Sequence, residues 1–312
     1  MKMKKIGVVT PIYNEEENLL SFYKRVTQVF TEIPAYDYEI LFIDNCSTDN
    51  SRVMIEDLCK SDSHIKAIFN IRNYGFNNSV YHGLINSAGD CTFLVNCDMQ
   101  DPPEMLIQFV KEWERGYKVV LGIKRKSDEN RFMVARRKFY YKVVKLLSEQ
   151  KQVLFHTGFG LYDQQFIQML RSLDEPAPYL KELVSDFAFK TKEVFYDQRR
   201  RTHGTGSTKL YTLYDDAMTG LTQSSKKMLR MATFGGLILG FCSVLLALMQ
   251  FVLKLTHPDW FAGGIASIAV GLFLLSAVQL FFIGILGEYV LTINAKVSKR
   301  AAVYEERRIN FL

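Results

Sequence analysis

Two long stretches without a charged side chain set the strongest limit on how this chain can fold. Residues 231–252 contain no Asp, Glu, Lys or Arg, and Lys254 closes the run. A second uncharged stretch runs from Trp260 to Gly287 and ends at Glu288. Each exceeds the roughly 20 residues a helix needs to cross a hydrocarbon core. Two buried core helices are the alternative, but helices of soluble domains rarely stay uncharged for so long. The expectation is a transmembrane hairpin over residues 226–295, with spans at about 231–254 and 262–288. The connection "LKLTHPDWFAGG" is short, and it places Trp260 and Phe261 near an interface, where aromatic rings are favoured.

The flanks orient the hairpin. "SSKKMLR" precedes the first span and "AKVSKRAAVYEERR" follows the second, whereas the connecting loop holds only Lys254, His257 and Asp259. Basic flanks stay in the cytoplasm. Residues 1–225 are therefore expected to form a cytosolic domain, and 296–312 a basic cytosolic tail, of a multi-pass protein in the inner (cytoplasmic) membrane. The excess of 39 Lys and Arg over 33 Asp and Glu is too small to argue for nucleic acid as a partner. Five cysteines, an odd number with no CxxC spacing, point to reduced thiols and not to a zinc site or a disulfide framework. "MKMKKIGVVTPIYNEE" reads as a first strand and not as a signal peptide.

Residues 1–124 alternate between two periodicities. "KKIGVVTPIYN", "YEILFIDNCSTD", "IKAIFNI", "CTFLVNC" and "YKVVLGIK" are apolar, β-rich runs. Between them lie helical patterns: "NLLSFYKRVTQVF", "SRVMIEDLCK", "NNSVYHGLINSA" and "PEMLIQFVKEWERG". This alternation predicts an α/β fold with an open, doubly wound, mainly parallel sheet, in which ligands bind outside the carboxyl ends of the strands. Polar clusters sit at those ends: "TPIYNEEEN", "DNCSTDN", "NIRNYG" and "NCDMQDPPE". Asp and Asn after a strand are also ordinary turn and cap residues, and Asp49 reads equally well as a cap. Four such clusters together exceed what capping requires.

The fourth cluster poses a specific question. Asp98 and Asp101 follow an apolar strand, an arrangement suited to a cation, yet Asn96 stands where a second acid would complete a clamp. Further on, residues 131–147 hold six basic residues and no acid. Phe132, Ala135, Phe139, Val143 and Leu146 share one face there, as in a helix lying in a membrane interface or packing on a sheet. "QRRRTHGTGSTK" adds a basic loop, suited to a lipid phosphate or simply solvated.

Taken together, "VVTPIYNEEENL", "IDNCSTDNS", "NIRNYGFNNSVYHGLINSAGD" and "NCDMQDPPEM" resemble the inverting family 2 glycosyltransferases of the GT-A (nucleotide-diphospho-sugar transferase) fold. Among these the chain looks most like the polyprenyl-phosphate group, which includes bactoprenol glucosyltransferases and dolichol-phosphate mannose synthase. The likeness extends through "GYKVVLGIK" to "GILGEYV" in the C-terminal hairpin. It implies a nucleotide-sugar donor, a polyprenyl phosphate acceptor such as undecaprenyl (bactoprenol) phosphate, contact with membrane lipid, and Mg2+ or Mn2+ as cofactor. Pro11, Tyr13, Asn14 and Glu15 would then lie against base and ribose, and Asp44 would hydrogen-bond the base, beside Asn45. Arg72 and Asn73 would face the nucleotide. Asp98 matches the metal-holding acid of a DxD motif, Gln100 a further metal contact, and Asn96 the first acid of that motif. Asp98 and Asp101 are the implied catalytic carboxylates, with Glu104 completing QDPPE. Lys124, Arg201 and Lys209 fall where the family places basic residues near phosphates.

The chain departs from that pattern at Asn96, at Asn45, and in "HTGFGLYDQQF", where the acid expected after Gly158 is missing while Asp163 matches a later one. The resemblance therefore leaves the base unassigned. A phosphate monoester is already a nucleophile, so a strong base is less needed than for a sugar hydroxyl. The departing diphosphate carries about three negative charges, which a metal and basic residues must absorb. One carboxylate, the Asn96 amide oxygen and diphosphate oxygens can still make a magnesium or manganese site, weaker than one with two carboxylates.

The leading expectation is transfer of a sugar from a nucleotide donor to polyprenyl phosphate on the cytosolic face, for cell-surface glycan modification. Two spans are too few for a processive synthase channel, and no QxxRW string occurs. The alternatives are an enzyme with another lipid or glycan acceptor, and a membrane-tethered binding protein that has lost its chemistry. Nothing in the sequence names the sugar, and a homo-oligomer is left open.

Overall fold

The computed structural model describes residues 3–124, 156–173, 178–198, 227–256, 265–297 and 302–311. The chain divides into two units, one holding every described strand and the other the two long apolar helices.

In the first unit the sequence periodicities become a βα succession. Strand β1 (Lys4–Ile12) leads to helix α1 (Glu16–Glu32), which turns Leu19, Phe22, Val26, Val29 and Phe30 onto the sheet. Strand β2 (Tyr36–Asp44), helix α2 (Ser51–Ser61), strand β3 (Ile65–Asn70), helix α3 (Phe76–Asn86) and strand β4 (Cys91–Leu94) follow. Helix α4 (Met105–Glu114) and strand β5 (Val119–Lys124) complete the part read from sequence. Ile40 to Asp44 are buried without interruption, as expected of strands covered on both faces by helices. Gly83 lets α3 approach closely: a Cβ there would meet Val9 Cγ1 at 2.5 Å.

The eight strands lie in the order β7-β5-β6-β4-β1-β2-β3-β8. β1, β2, β3 and β4 are parallel neighbours, and β5 pairs in parallel with β7 (Thr191–Tyr196). β6 (His156–Asp163) runs antiparallel between β4 and β5. Helices α5 (Gln164–Leu173) and α6 (Leu180–Asp186) follow β6. The sheet is thus mainly parallel, with β6 and β8 reversed.

β8 (Glu305–Ile309) pairs antiparallel with β3. Sequence reading treats 296–312 as a tail, because "EERRI" has no apolar alternation. The strand forms at a sheet edge, where charged side chains are ordinary, and its charges find partners on α2 and α3. Arg307 reaches Glu56, and Glu305 lies 2.5 Å from His82 Nε2. Asn310 anchors the far end by donating from Nδ2 to the carbonyls of Cys59 and Ile65, each at 2.8 Å.

Glu39 shows how the sheet tolerates a buried charge. Only 1 % exposed, it accepts the Ala88 N–H at 2.7 Å, and Lys5 and Lys66 approach its carboxylate at 3.2 and 3.0 Å. Burial opposes ionisation, but the Ala88 N–H and the two ammonium groups outweigh it and hold the carboxyl below its ordinary range. Its ionised form therefore stabilises the fold fully above the unfolded value of about 4.3, and that contribution is lost as pH falls through the lower folded value. Thermal melts of the wild type and Glu39→Gln should differ most at neutral pH and converge below pH 4. A constant gap would exclude the ionised role.

In the second unit, α7 (Lys227–Thr256) and α8 (Ile265–Val297) are helices of 30 and 33 residues. A Cβ at Gly235 of α7 would lie 3.6 Å from the Phe282 ring of α8, so the two pack side by side there. Residues Leu274–Asn294 of α8 have a mean hydropathy of 1.9, and none of their most apolar window is buried. Among the described residues this is the one helix long and apolar enough to cross a membrane. Among the described residues of α7, Thr233–Leu246 form an apolar run.

Candidate active site

In the doubly wound core, β2 and β4 flank β1, and successive strands are added in opposite directions from it. The crevice outside the carboxyl ends at such a switch point is where open α/β sheets bind ligands. Four strand ends converge there: Ile12–Glu15, Asp44–Ser47, Asn70–Tyr74 and Val95–Asp101.

The first two ends are tied together by side chains. Asn14, in the left-handed region at φ 55°, donates its N–H to Ser47 Oγ at 3.0 Å. Its Oδ1 accepts the Thr48 N–H at 2.8 Å. The Glu15 N–H reaches Ser51 Oγ at 2.9 Å, while Glu15 Oε2 accepts from Asn18 at 2.7 Å. Asp49 accepts the N–H groups of Glu16 and Ser51, so the capping role holds for it. Asn14 and Glu15 are thus tied to the neighbouring strand end, while Tyr13 is 41 % exposed and Pro11 is half-buried.

Asp44 is fully buried and accepts the Ser47 N–H at 3.2 Å. Arg52 Nε lies 3.2 Å from Asp44 Oδ2 as a charge pair without hydrogen-bond alignment. Burial raises the Asp44 carboxyl above its ordinary range, against the pull of Ser47 and Arg52. Next to it, Asn45 is a structural hub. Its Nδ2 donates to Asn73 Oδ1 at 2.8 Å, and its Oδ1 accepts from Asn70 Nδ2 at 3.2 Å and the Tyr74 N–H at 2.9 Å. Asn73 Oδ1 also accepts the Gly75 N–H at 2.8 Å. Both amides therefore set the loop that carries Arg72, whose guanidinium stacks 4.6 Å from the Tyr74 ring.

At the fourth end the chain turns sharply, with Met99 at φ 61°. Asp98, half-buried, accepts the Gln100 N–H at 3.2 Å. Asn96 is half-buried beside it. Gln100 Oε1 accepts from Gln198 Nε2 at 3.1 Å. Asp101 is 1 % exposed and takes a hydrogen bond from the Tyr196 hydroxyl. Burial raises its carboxyl, Lys124 and Tyr196 draw it back, and neighbouring Asp98 raises it further. Asp101 thus lies beneath the crevice floor with Lys124 near it. Glu104 is held by a bidentate fork from Arg25, at 2.9 and 2.7 Å, which fastens the loop to α1.

Phe159, the residue after Gly158, is 2 % exposed and packs its ring against Phe93, Phe109 and Tyr196. Asp163 sits at the opposite end of the strands, beside Cys91, because β6 is reversed. There it accepts from Trp113 Nε1 at 2.7 Å and pairs with Lys118 at 3.2 Å. Arg201, Lys209 and the basic segments around 131–147 and 198–209 are sequence expectations that fall largely outside the described residues. Tyr196, Gln198 and Arg52 escape sequence reading: β7 and β6 are short and interrupted, and Arg52 looks like any surface residue of α2.

Among the described residues no cluster of three His, Cys, Asp or Glu forms a self-sufficient metal site. The donor set still fits magnesium or manganese, which bind through one or two carboxylates and complete their shell with water and substrate phosphates. Asp98 would supply the carboxylate, and Asn96 and Gln100 would supply neutral oxygens.

A doubly wound sheet with acids and amides at four strand ends around the switch point is the architecture of a GT-A glycosyltransferase domain. Residues 7–176 match Glycosyl transferase family 2, and the chain belongs to that family. It is 29% identical over 297 residues to the SfII prophage-derived bactoprenol glucosyl transferase of Shigella flexneri, covering 95% of this chain and 96% of the relative. It is also 29% identical over 313 residues to the undecaprenyl-phosphate 4-deoxy-4-formamido-L-arabinose transferase of an Enterobacter species, covering 98% and 94%. The fold resembles glucosyl-3-phosphoglycerate synthase from Mycobacterium tuberculosis, with a TM-score of 0.50 at 16% identity over 71% of this chain and 80% of that one.

Proposed function

We propose that this protein transfers a sugar from a nucleoside diphosphate donor to a polyprenyl phosphate at the cytosolic face of the membrane, with inversion at the anomeric carbon. The observation that carries the reading is one chain joining a GT-A crevice to an apolar helix, Leu274–Asn294, whose most apolar window is not buried. Exposed apolar surface on that scale belongs against lipid. The relatives named for bactoprenol and undecaprenyl phosphate support the acceptor class. α7 and α8 together would form the hairpin. β8 belongs to the same folded unit as β1–β7, which supports an even number of membrane crossings in the intervening chain. The basic flanks favour the cytosol for that unit.

In this mechanism Asp44 recognises the base, and Arg72 and Lys124 attract the diphosphate. Asp98, Asn96 and Gln100 would hold Mg2+ or Mn2+, which supplies positive charge to the leaving diphosphate. The lipid phosphate oxygen attacks the anomeric carbon as the bond to the diphosphate breaks. Being already anionic, it needs no proton removed. The test is a donor screen of the detergent-solubilised protein with undecaprenyl and dolichyl phosphate, reading the glycosyl-lipid by mass. Product with neither lipid for any nucleotide sugar would reject the proposal.

Asn96 offers a finer test. Asn96→Asp adds a carboxylate beside Asp98, which strengthens attraction for a divalent ion and repels a metal-free diphosphate. Manganese half-saturation should fall several-fold and metal-free donor binding should weaken. An unchanged half-saturation with lower turnover would mean that Asn96 serves through its amide N–H.

A further inference from the structure

Because β8 runs antiparallel to β3, its first residues lie beside the carboxyl end of β3, at the edge of the sheet where the crevice opens. The Ile71 N–H donates to the Tyr304 carbonyl at 3.2 Å, and the Tyr304 ring stands 6.5 Å from that of Tyr74. The pairing is irregular at this point. Arg307 faces Phe69 and Glu305 faces the next residue, Asn70, so Glu306 is an extra residue in β8. Such a bulge bends the strand and re-aims a side chain. Here it leaves Glu306 and Arg307 both directed to α2: Arg307 pairs with Glu56, and Glu306 Oε2 lies 2.5 Å from Arg52 Nη2. The same guanidinium is the cation beside buried Asp44.

We infer that Glu306 is a positioning residue of the donor site: the bulge in β8 delivers its carboxylate to Arg52, which it holds against Asp44. The inference rests on the nucleotide-binding reading above and extends the site to a segment more than 200 residues away in sequence, on the far side of α7 and α8. The physical reason is geometric. Arg52 is a flexible side chain, a quarter exposed, and its contact with Asp44 lacks hydrogen-bond alignment. A second carboxylate fixes the guanidinium from the outside, so its positive charge stays beside Asp44. Without Glu306, Arg52 can turn to solvent, and the buried carboxylate loses its neighbouring charge.

The test uses the full chain in detergent and binding of uridine, guanosine and cytidine diphosphates in the presence of manganese, measured calorimetrically. For the nucleotide that binds the wild type, Glu306→Gln should weaken affinity three- to ten-fold. Arg307→Ala, on the same strand, should leave it within twofold. In an Arg52→Ala background, Glu306→Gln should have no further effect, an outcome that a merely structural strand would not give. Thermal melts of each variant separate lost folding from lost binding. Equal affinity in wild type and Glu306→Gln, or an undiminished effect without Arg52, overturns this inference and leaves the proposed function standing. Failure of the wild type to bind any nucleoside diphosphate overturns both.

Discussion

Asp98→Ala is expected to lower sugar transfer by about 10²–10³-fold, the scale seen when one group that stabilises developing transition-state charge is removed. Asp98 is half-buried just beyond β4 and accepts the Gln100 N–H at 3.2 Å. The nearby acid, Asp101, cannot replace it. Asp101 is buried under the loop, bonded to Tyr196, and raised above its ordinary range by burial. Asn96 and Gln100 provide oxygens without charge. Removing Asp98 therefore removes a half-buried carboxylate whose place buried Asp101 cannot take. The side chain contributes little to packing, so the melting temperature should stay within about 2 °C of wild type, a change of at most about 1 kcal/mol. Loss of transfer with intact melting, and with a manganese requirement that rises steeply, is the expected outcome. Near-wild-type turnover at low manganese would remove Asp98 from the mechanism.

The contrast between Asp98 and Asp101 shows what sequence could and could not convey. Both acids stand in one motif, and spacing alone gave them the same status. Their separation comes from β7, which brings Tyr196 under the loop. β7 pairs with β5 across a gap of more than 60 residues in the chain, so no local pattern announces it. The parallel core was legible because β1 to β5 are continuous apolar runs separated by helical spacing. β6 was not, since Gly158 and Gly160 interrupt it and its reversed direction depends on neighbours distant in sequence. β8 was hidden for a different reason: an edge strand whose partners are charges on helices carries no hydrophobic alternation. Likewise, Glu104 reads as part of a functional motif, yet its recorded partner is Arg25 of α1.

Asn45 supplies the second large effect, because restoring the family's usual acid there should be harmful. In Asn45→Asp the Nδ2 donor to Asn73 Oδ1 is lost, and an oxygen takes its place 2.8 Å from another oxygen. Asn73 cannot simply rotate its amide to donate, since the same Oδ1 accepts the Gly75 N–H. Asn45 is 4 % exposed, so the new carboxylate would be charged, buried and beside Asp44. An unsatisfied buried polar group costs about 1–3 kcal/mol, and a charge costs more. The loop carrying Arg72 and Tyr74 hangs on this hub, so affinity for a nucleoside diphosphate should fall along with stability. The pH dependence identifies the cause. Burial and Asp44 would raise the folded pKa of the new acid above its unfolded value of about 3.9. A group raised in this way stabilises below the unfolded pKa, and that contribution is lost as pH rises through the folded pKa. When protonated, the carboxyl can donate its O–H to Asn73 and stand in for the amide. The melting deficit of Asn45→Asp should therefore be smallest near pH 4 and grow as pH rises toward 8. A variant that melts with wild type and binds nucleotide equally across that range would show that the Asn45–Asn73 pair does not hold the loop.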